Sequence, residues 1–270
     1  MAHEAWQLTG SGADRYERYQ VPSVFGPLAR SFLERVALKP GQHVLDVACG
    51  TGILARMAAP QLGPTGLILG VDLNAGMLDV ARDLAPRDGA RVEWRQGDAS
   101  TLPFADGSFD IVLCQQGLQF FPDKAGALRE MRRVLKPGGR VGLCVWRSID
   151  NSPCHAAVAQ ALGRHAGAEV ATRFQAPFSF GDRDALHGAM HDAGFRDIDI
   201  QVATVMRRLL PPEESIPGLL ASTPVGPDVA ALDATRRAAI VAEAAASLSA
   251  YRDADGLTLP QPTHIAFGTR

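Results

Sequence analysis

The stretch Val44-Leu45-Asp46-Val47-Ala48-Cys49-Gly50-Thr51-Gly52 restricts this chain more than any other part of its sequence. A short apolar run of strand character, His43 to Ala48, breaks on glycines, and a helical pattern takes over from Gly50 to Leu62. Glycine tolerates a left-handed backbone and presents no Cβ, so main-chain atoms in such a turn can approach a ligand closely. A strand running through glycines into a helix is the opening unit of an open α/β sheet.

The following hundred residues repeat the alternation. Leu67 to Val71 reads as a second strand closed by Asp72, and Asn74 caps a helix reaching to about Leu84. Arg91 to Gln96, Phe109 to Cys114 and Arg140 to Trp146 read as strands three to five. A helix over Asp123 to Leu135 separates the last two and is ended by Lys136-Pro137-Gly138-Gly139. Upstream, Val24, Leu28, Phe32, Leu33 and Val36 recur at helical spacing. Strands alternating with helices imply a parallel sheet covered on both faces, and continuous apolar strands fit burial on both sides. Beyond residue 150 the rhythm changes. Helices are expected over Cys154 to Gly167, Asp182 to Ala193 and, as one long Ala-rich rod, Asp228 to Ala250. Phe195 to Leu210 alternates Ile198, Ile200, Val202, Thr204 and Met206 as a strand would, and Leu257 to Gly268 reads as the last strand.

The charge balance removes several classes of partner. With 27 basic and 29 acidic residues the net charge is −2, which argues against nucleic acid or an anionic membrane surface. No apolar run approaches the ~20 residues of a membrane span, and Met1 to Gly10 carries no leader pattern. Cys49, Cys114, Cys144 and Cys154 lack metal-site spacing and read as small buried thiols. No metal is expected, and the expected location is the cytoplasm.

The glycine turn admits two ligands. Gly50-x-Gly52-x-x-Ala55, with Asp72 about twenty residues on, satisfies a dinucleotide fingerprint with alanine in third place. Asp46 tips the balance. A carboxylate within ~4 to 6 Å of a pyrophosphate would oppose it by a few kcal/mol at an effective dielectric near 20. The same carboxylate would favour the sulfonium and ammonium of S-adenosylmethionine (SAM). An NAD-dependent oxidoreductase stays open as the alternative, although no Tyr-x-x-x-Lys pair is evident.

Asp46 to Gly52 resembles motif I of the class I SAM-dependent methyltransferases. The likeness continues through Val71-Asp72-Leu73-Asn74-Ala75-Gly76-Met77-Leu78, Gly97-Asp98-Ala99 with Leu102-Pro103-Phe104, Phe109-Asp110-Ile111-Val112, and Leu128 to Gly139. It is nearest to the ubiquinone/menaquinone-biosynthesis type and its small-molecule relatives. The resemblance implies a Rossmann-like, seven-stranded, mostly parallel sheet with helices on both faces, an N-terminal helical cap and a helical insertion before the last strand. It implies one domain over 1–270: cap or lid 1–40, SAM-binding core 41–150, and substrate-side helices with the last two strands 151–270.

It also implies roles. Gly50 and Gly52, with Ala48 in the same turn, would let the backbone approach SAM. Asp46 would face its methionine part, Asp72 would bind the ribose hydroxyls, and Asp98 and the Ala99 amide would meet the adenine. Leu73 and Met77 would sandwich the adenine, with plain core packing an equal alternative for Met77. Gln115 would lie near the methionine moiety; apart from the resemblance, Tyr16 and Tyr19 lie on a polar segment expected to act as a lid over the cofactor, with Tyr19 expected to bind it. The acceptor is expected to be a small apolar or aromatic molecule methylated on oxygen, carbon or nitrogen. Tyr16, Tyr19, Phe120, Phe121, Trp146, Phe174, Phe178 and Phe180 are the aromatic candidates around it. No catalytic base is named, because Gln115-Gln116-Gly117-Leu118-Gln119 stands where some relatives carry histidines. His155 is the most interesting of the remaining histidines, because it follows strand five, whose carboxyl end faces the site in this fold, but an ordinary surface-helix histidine is the favoured reading. A SAM-binding protein that does not methylate remains a further alternative, and a homodimer is left open.

Overall fold

The computed structural model describes residues 12–270; Trp6 and the remainder of the first eleven positions lie outside the described residues. Seven strands form one sheet: β1 (His43–Val47), β2 (Leu67–Asp72), β3 (Arg91–Gln96), β4 (Phe109–Gln115), β5 (Leu135–Trp146), β6 (Arg196–Leu209) and β7 (Leu257–Thr269). Their order is β3-β2-β1-β4-β5-β7-β6. β7 runs antiparallel to both its neighbours, and the other pairs are parallel. This is the expected Rossmann-like sheet.

The helices, in chain order, are α1 (Gly12–Arg15), α2 (Gly26–Val36), α3 (Ile53–Leu62), α4 (Ala75–Asp83), α5 (Lys124–Val134), α6 (Pro153–His165), α7 (Ala168–Gln175), α8 (Arg183–Asp192), α9 (Pro212–Ala221), α10 (Gly226–Ala230) and α11 (Ala234–Ser247). A π-helix over Tyr16–Phe25 joins α1 to α2. No helix among the described residues is long and apolar enough to cross a membrane.

Continuous apolar strands divide their side chains between two cores. In β1, Val44 packs with α2 and α3 while Leu45 packs with α5 and α8 on the opposite face; Ile68/Leu69 and Ile111/Val112 split the same way. That two-sided demand is why these strands do not alternate apolar with polar. A third core lies off the sheet, where α6 and α7 meet α9 to α11 around Leu162, Phe174 and Ile240.

Local chemistry fixes several boundaries. Asn74, Asp123 and Asp182 each accept backbone N–H groups at a helix start. The expected single helix over Asp228 to Ala250 is in fact two, because Asp233 accepts from the Arg236 N–H and caps a new start. Strand β5 begins earlier than expected. Leu135 pairs with Phe109 before Lys136-Pro137-Gly138-Gly139, and the register is irregular there. Helices α7 and α9 carry too little periodicity to be foreseen, and Pro211-Pro212 opens α9.

Strand β6 holds the largest difference. Its apolar even positions Val202 and Met206 are 50% and 53% exposed, whereas Ala203, Val205 and Arg207 are buried. Pairing with β7 is regular from Asp199 to Leu209, so no slip is involved. Cover changes face instead. Ile198 and Ile200 pack on the α8 side, and farther along the π-helix and α2 cover the opposite face.

Candidate functional site

Strand β1 sits between β2 and β4, so the connections diverge on either side of it. Crevices at such switch points, beyond the carboxyl ends of the strands, are where open α/β sheets bind ligands. A cavity of about 280 Å³ opens there.

The turn after β1 is built on left-handed backbone, with φ of 56° at Ala48, 55° at Gly50 and 81° at Gly52. Asp72, at the end of β2, holds it. The Gly50 N–H donates to Asp72 Oδ2 and the Asn74 N–H to Asp72 Oδ1, both at 2.8 Å. One carboxylate therefore ties the glycine turn to the start of α4. A Cβ on Gly50 would have Tyr16 Cε1, at 4.0 Å, as its nearest neighbour, so the backbone there faces open cavity. Gly52 differs from expectation. A Cβ on it would lie 2.3 Å from Trp94 Cη2 of β3, and the residue is not part of the cavity wall. Its glycine serves the left-handed cap of α3 and the close packing of Trp94, not approach to a ligand.

Asp46 lies beneath the turn and is 2% exposed. Ala55 N–H donates to its carboxylate, and its Oδ2 has no partner. Burial first, then the charge of Asp72, pushes its carboxyl up to about 8. Burial raises Asp72 as well. No ion pair reaches either acid among the described residues, since Arg56 is held by Glu17 at 2.6 Å. Two buried acids side by side without a cation make this turn electrostatically hungry for positive charge.

Leu73, Met77, Asp98 and Ala99 line the same end of the cavity, with Ala48 and Gln115 at its middle. Asp98 Oδ1 accepts from the Ser100 N–H and hydroxyl, both at 2.8 Å. Gln115 Nε2 donates to the Phe25 carbonyl at 3.2 Å, leaving a buried Oε1 without a partner. Tyr19 does not join them. It is 57% exposed, with the Arg18 guanidinium 5.6 Å from its ring centre. Tyr16, the other tyrosine expected in the lid, lines the cavity instead. Its phenol is pushed up by burial and then by Asp72, Glu17 and Asp46.

From Tyr16 a row of rings leads along the wall. Successive centroids are 5.0 Å (Tyr16 to Phe25), 6.1 Å (to Trp146), 6.4 Å (to Phe178), 4.8 Å (to His155) and 5.9 Å (to Phe174). Phe120 and Phe121 line the cavity from the loop after β4, as expected; Phe180 does not, and has Lys124 Nζ 5.3 Å from its ring centre. Gln119 is buried off the cavity and donates to Gln116 Oε1 at 2.9 Å.

Sequence reasoning missed Phe25 and Arg207, and set His155 aside after placing it near the site. His155 is no surface histidine. It lines the cavity, its buried Nδ1 has no hydrogen-bond partner, and it is held neutral, its pKa driven to about 3 by burial first and then by Arg207. Arg207 is 3% exposed; its Nη2 donates to Gln20 Oε1 at 2.7 Å, and its Nε has no partner. The row Ala203-x-Val205-x-Arg207 could have pointed to it once the covered face of β6 was known.

Comparison with known proteins finds methyltransferases. The methyltransferase domain family matches residues 45–143. The chain is 44% identical over 117 residues to the ubiquinone/menaquinone biosynthesis C-methyltransferase UbiE of Cupriavidus metallidurans, covering 42% of this chain and 48% of that protein. It is 32% identical over 183 residues to the demethylmenaquinone methyltransferase of Staphylococcus carnosus, covering 64% of this chain and 75% of that one. The chain thus spans about half the length of several curated relatives it matches. Among solved structures, Haemonchus contortus phosphoethanolamine N-methyltransferase 2, in complex with phosphomonomethylethanolamine and S-adenosylhomocysteine, shares the fold. Its TM-score is 0.64 at 21% identity, covering 100% of this chain and 60% of that one.

Proposed function

Because the chain belongs to the class I SAM-dependent methyltransferases, we propose that it binds SAM at the glycine turn and transfers its methyl group to a small, largely apolar molecule held in the aromatic end of the cavity. The carrying observation is the continuity of one cavity from Asp72, with the buried Asp46 beneath the turn and no cation paired to either acid, to a chamber walled by rings. The acids fit the cofactor: Asp46 has an orphaned oxygen, and Gly50 leaves room that a Cβ would fill.

SAM supplies an activated methyl on a sulfonium. The chain's own residues bind, orient and exclude water. Asp72 keeps acceptor capacity for vicinal hydroxyls while it holds the turn, and Asp98, Ala99, Leu73 and Met77 would flank the base. Asp46 acts from below by charge, and Gln115 Oε1 offers an acceptor to an ammonium. Tyr16 would close over the turn from the N-terminal side. Residues 41–150 serve the cofactor and 151–270 the acceptor in this reading. The four free, buried cysteines suit a reducing compartment such as the cytoplasm.

The test is calorimetric titration of S-adenosylhomocysteine (SAH), SAM and NAD. SAH and SAM should bind and NAD should not. Asp72→Ala should weaken SAH by about a hundredfold, since hydrogen bonds to a charged acceptor contribute about 1.5–3 kcal/mol each. Unchanged SAH affinity in that variant, or preferential uptake of NAD by the wild type, would sink the assignment.

A further inference from the structure

We infer that the methyl acceptor is an aromatic acid whose ring lies in the chamber of rings and whose anionic oxygen is received by Arg207. This rests on the methyl-transfer reading above for the word acceptor; the anion site itself rests on the following observations.

Arg207 projects from β6 into the end of the cavity remote from Asp72, and it is 3% exposed. No ion pair involves it among the described residues. Its recorded partner is the neutral amide of Gln20, whose Nε2 donates in turn to Ser222 Oγ at 3.1 Å. A guanidinium has five donors in a fixed fork suited to a carboxylate. Here one is used on an amide and the Nε–H is unused. Buried arginines are ordinarily paired, because removing a lone charge from water is costly.

Trp146, Phe174, Phe178 and Leu219 give this end apolar walls, with Ser222 and Thr223 beside Leu219 as neutral hydroxyls. The charges along the cavity are therefore segregated. Asp72 and Asp98 stand at the turn end and Arg207 at the chamber end. His155 adds no second charge at neutral pH, as burial keeps its ring neutral. A neutral hydrocarbon would leave the guanidinium without a counterion, whereas a ring bearing a carboxylate or an acidic hydroxyl would satisfy both surfaces. Gln20 and Ser222 then act as the support that fixes the fork.

The test uses the full chain and a matched pair of probes, 1-naphthoate and its neutral counterpart 1-naphthalenemethanol. Each is titrated calorimetrically with and without SAH. The carboxylate should bind about tenfold or more tightly than the alcohol, as expected for a charge-assisted fork. Arg207→Met should abolish that preference and Arg207→Lys should keep part of it, while all three proteins still bind SAH. Equal affinities in the wild type, no measurable naphthoate binding, or a preference that survives Arg207→Met would overturn the inference. If Arg207→Met does not fold, the wild-type ratio and Arg207→Lys still decide. Failure of the wild type to bind SAH would strike the methyl-transfer reading instead, and the comparison without SAH would stand.

Discussion

At the scale of single residues, Asp46 makes cofactor binding depend on pH. A cation beside it favours the ionised carboxylate, so a ligand bearing an ammonium and a sulfonium must displace the proton that Asp46 holds below about 8. SAM affinity should rise from pH 6 to about 8 and then level off, and SAH, which has the ammonium but no sulfonium, should follow less steeply. Titration in buffers of different ionisation enthalpy should show proton release, and Asp46→Asn should remove both effects. The two tyrosines should separate cleanly. Tyr16→Ala should weaken SAH binding, whereas Tyr19→Ala, altering a side chain 57% exposed, should not. Gly52→Ala should destabilise the fold by about 2–4 kcal/mol in urea denaturation, through left-handed strain and a clash with Trp94. Asp46, Gly50 and Asp72 were legible in the sequence because a short turn fixes what lies on either side of it. The choice between Tyr16 and Tyr19 was not, since a polar segment without periodicity does not say which residue faces inward. Arg207 escaped, and His155 was set aside, for a related reason: their surroundings come from elements distant in the sequence, Arg207 near His155 and Gln20 against Arg207.

At the scale of elements, strands were legible where both faces are covered by neighbouring helices in the chain, and misread where the cover comes from afar. Strands β1, β2 and β4 show their burial as unbroken apolar runs. Strand β6 shows an apolar alternation that points outward, because the π-helix of the N-terminal region covers its other face. Thermal or urea denaturation should expose this inversion. Met206→Gln should change stability by less than about 0.5 kcal/mol, despite removing an apolar side chain from a strand. Val205→Ala, on the covered face, should cost about 2 kcal/mol through lost burial and a residual cavity.

For the whole molecule, the open sheet and its switch point followed from alternation alone, and the third core did not. That core joins α6 and α7 to α9–α11 across long stretches of Ala-rich sequence, where small side chains mark contact without specifying a partner. The cavity draws its walls from the sheet ends and from this helical group together, so a ligand that fills it should stabilise the entire fold. SAH at a hundred times its Kd should add about 2.7 kcal/mol. That corresponds to a rise in melting temperature of roughly 5–10 °C for a chain of this size. NAD at the same concentration should leave the melting curve unmoved.

The π-helix between Tyr16 and Phe25 carries Tyr16 over the glycine turn and Gln20 against Arg207. One short rigid segment therefore touches the two extremities of the cavity. Loading at either extremity biases the segment's position, and thermodynamic reciprocity requires the factor by which each ligand alters the other's affinity to be identical. SAH titrated into protein saturated with naphthoate, and naphthoate into protein saturated with SAH, should yield a single cooperativity constant larger than one.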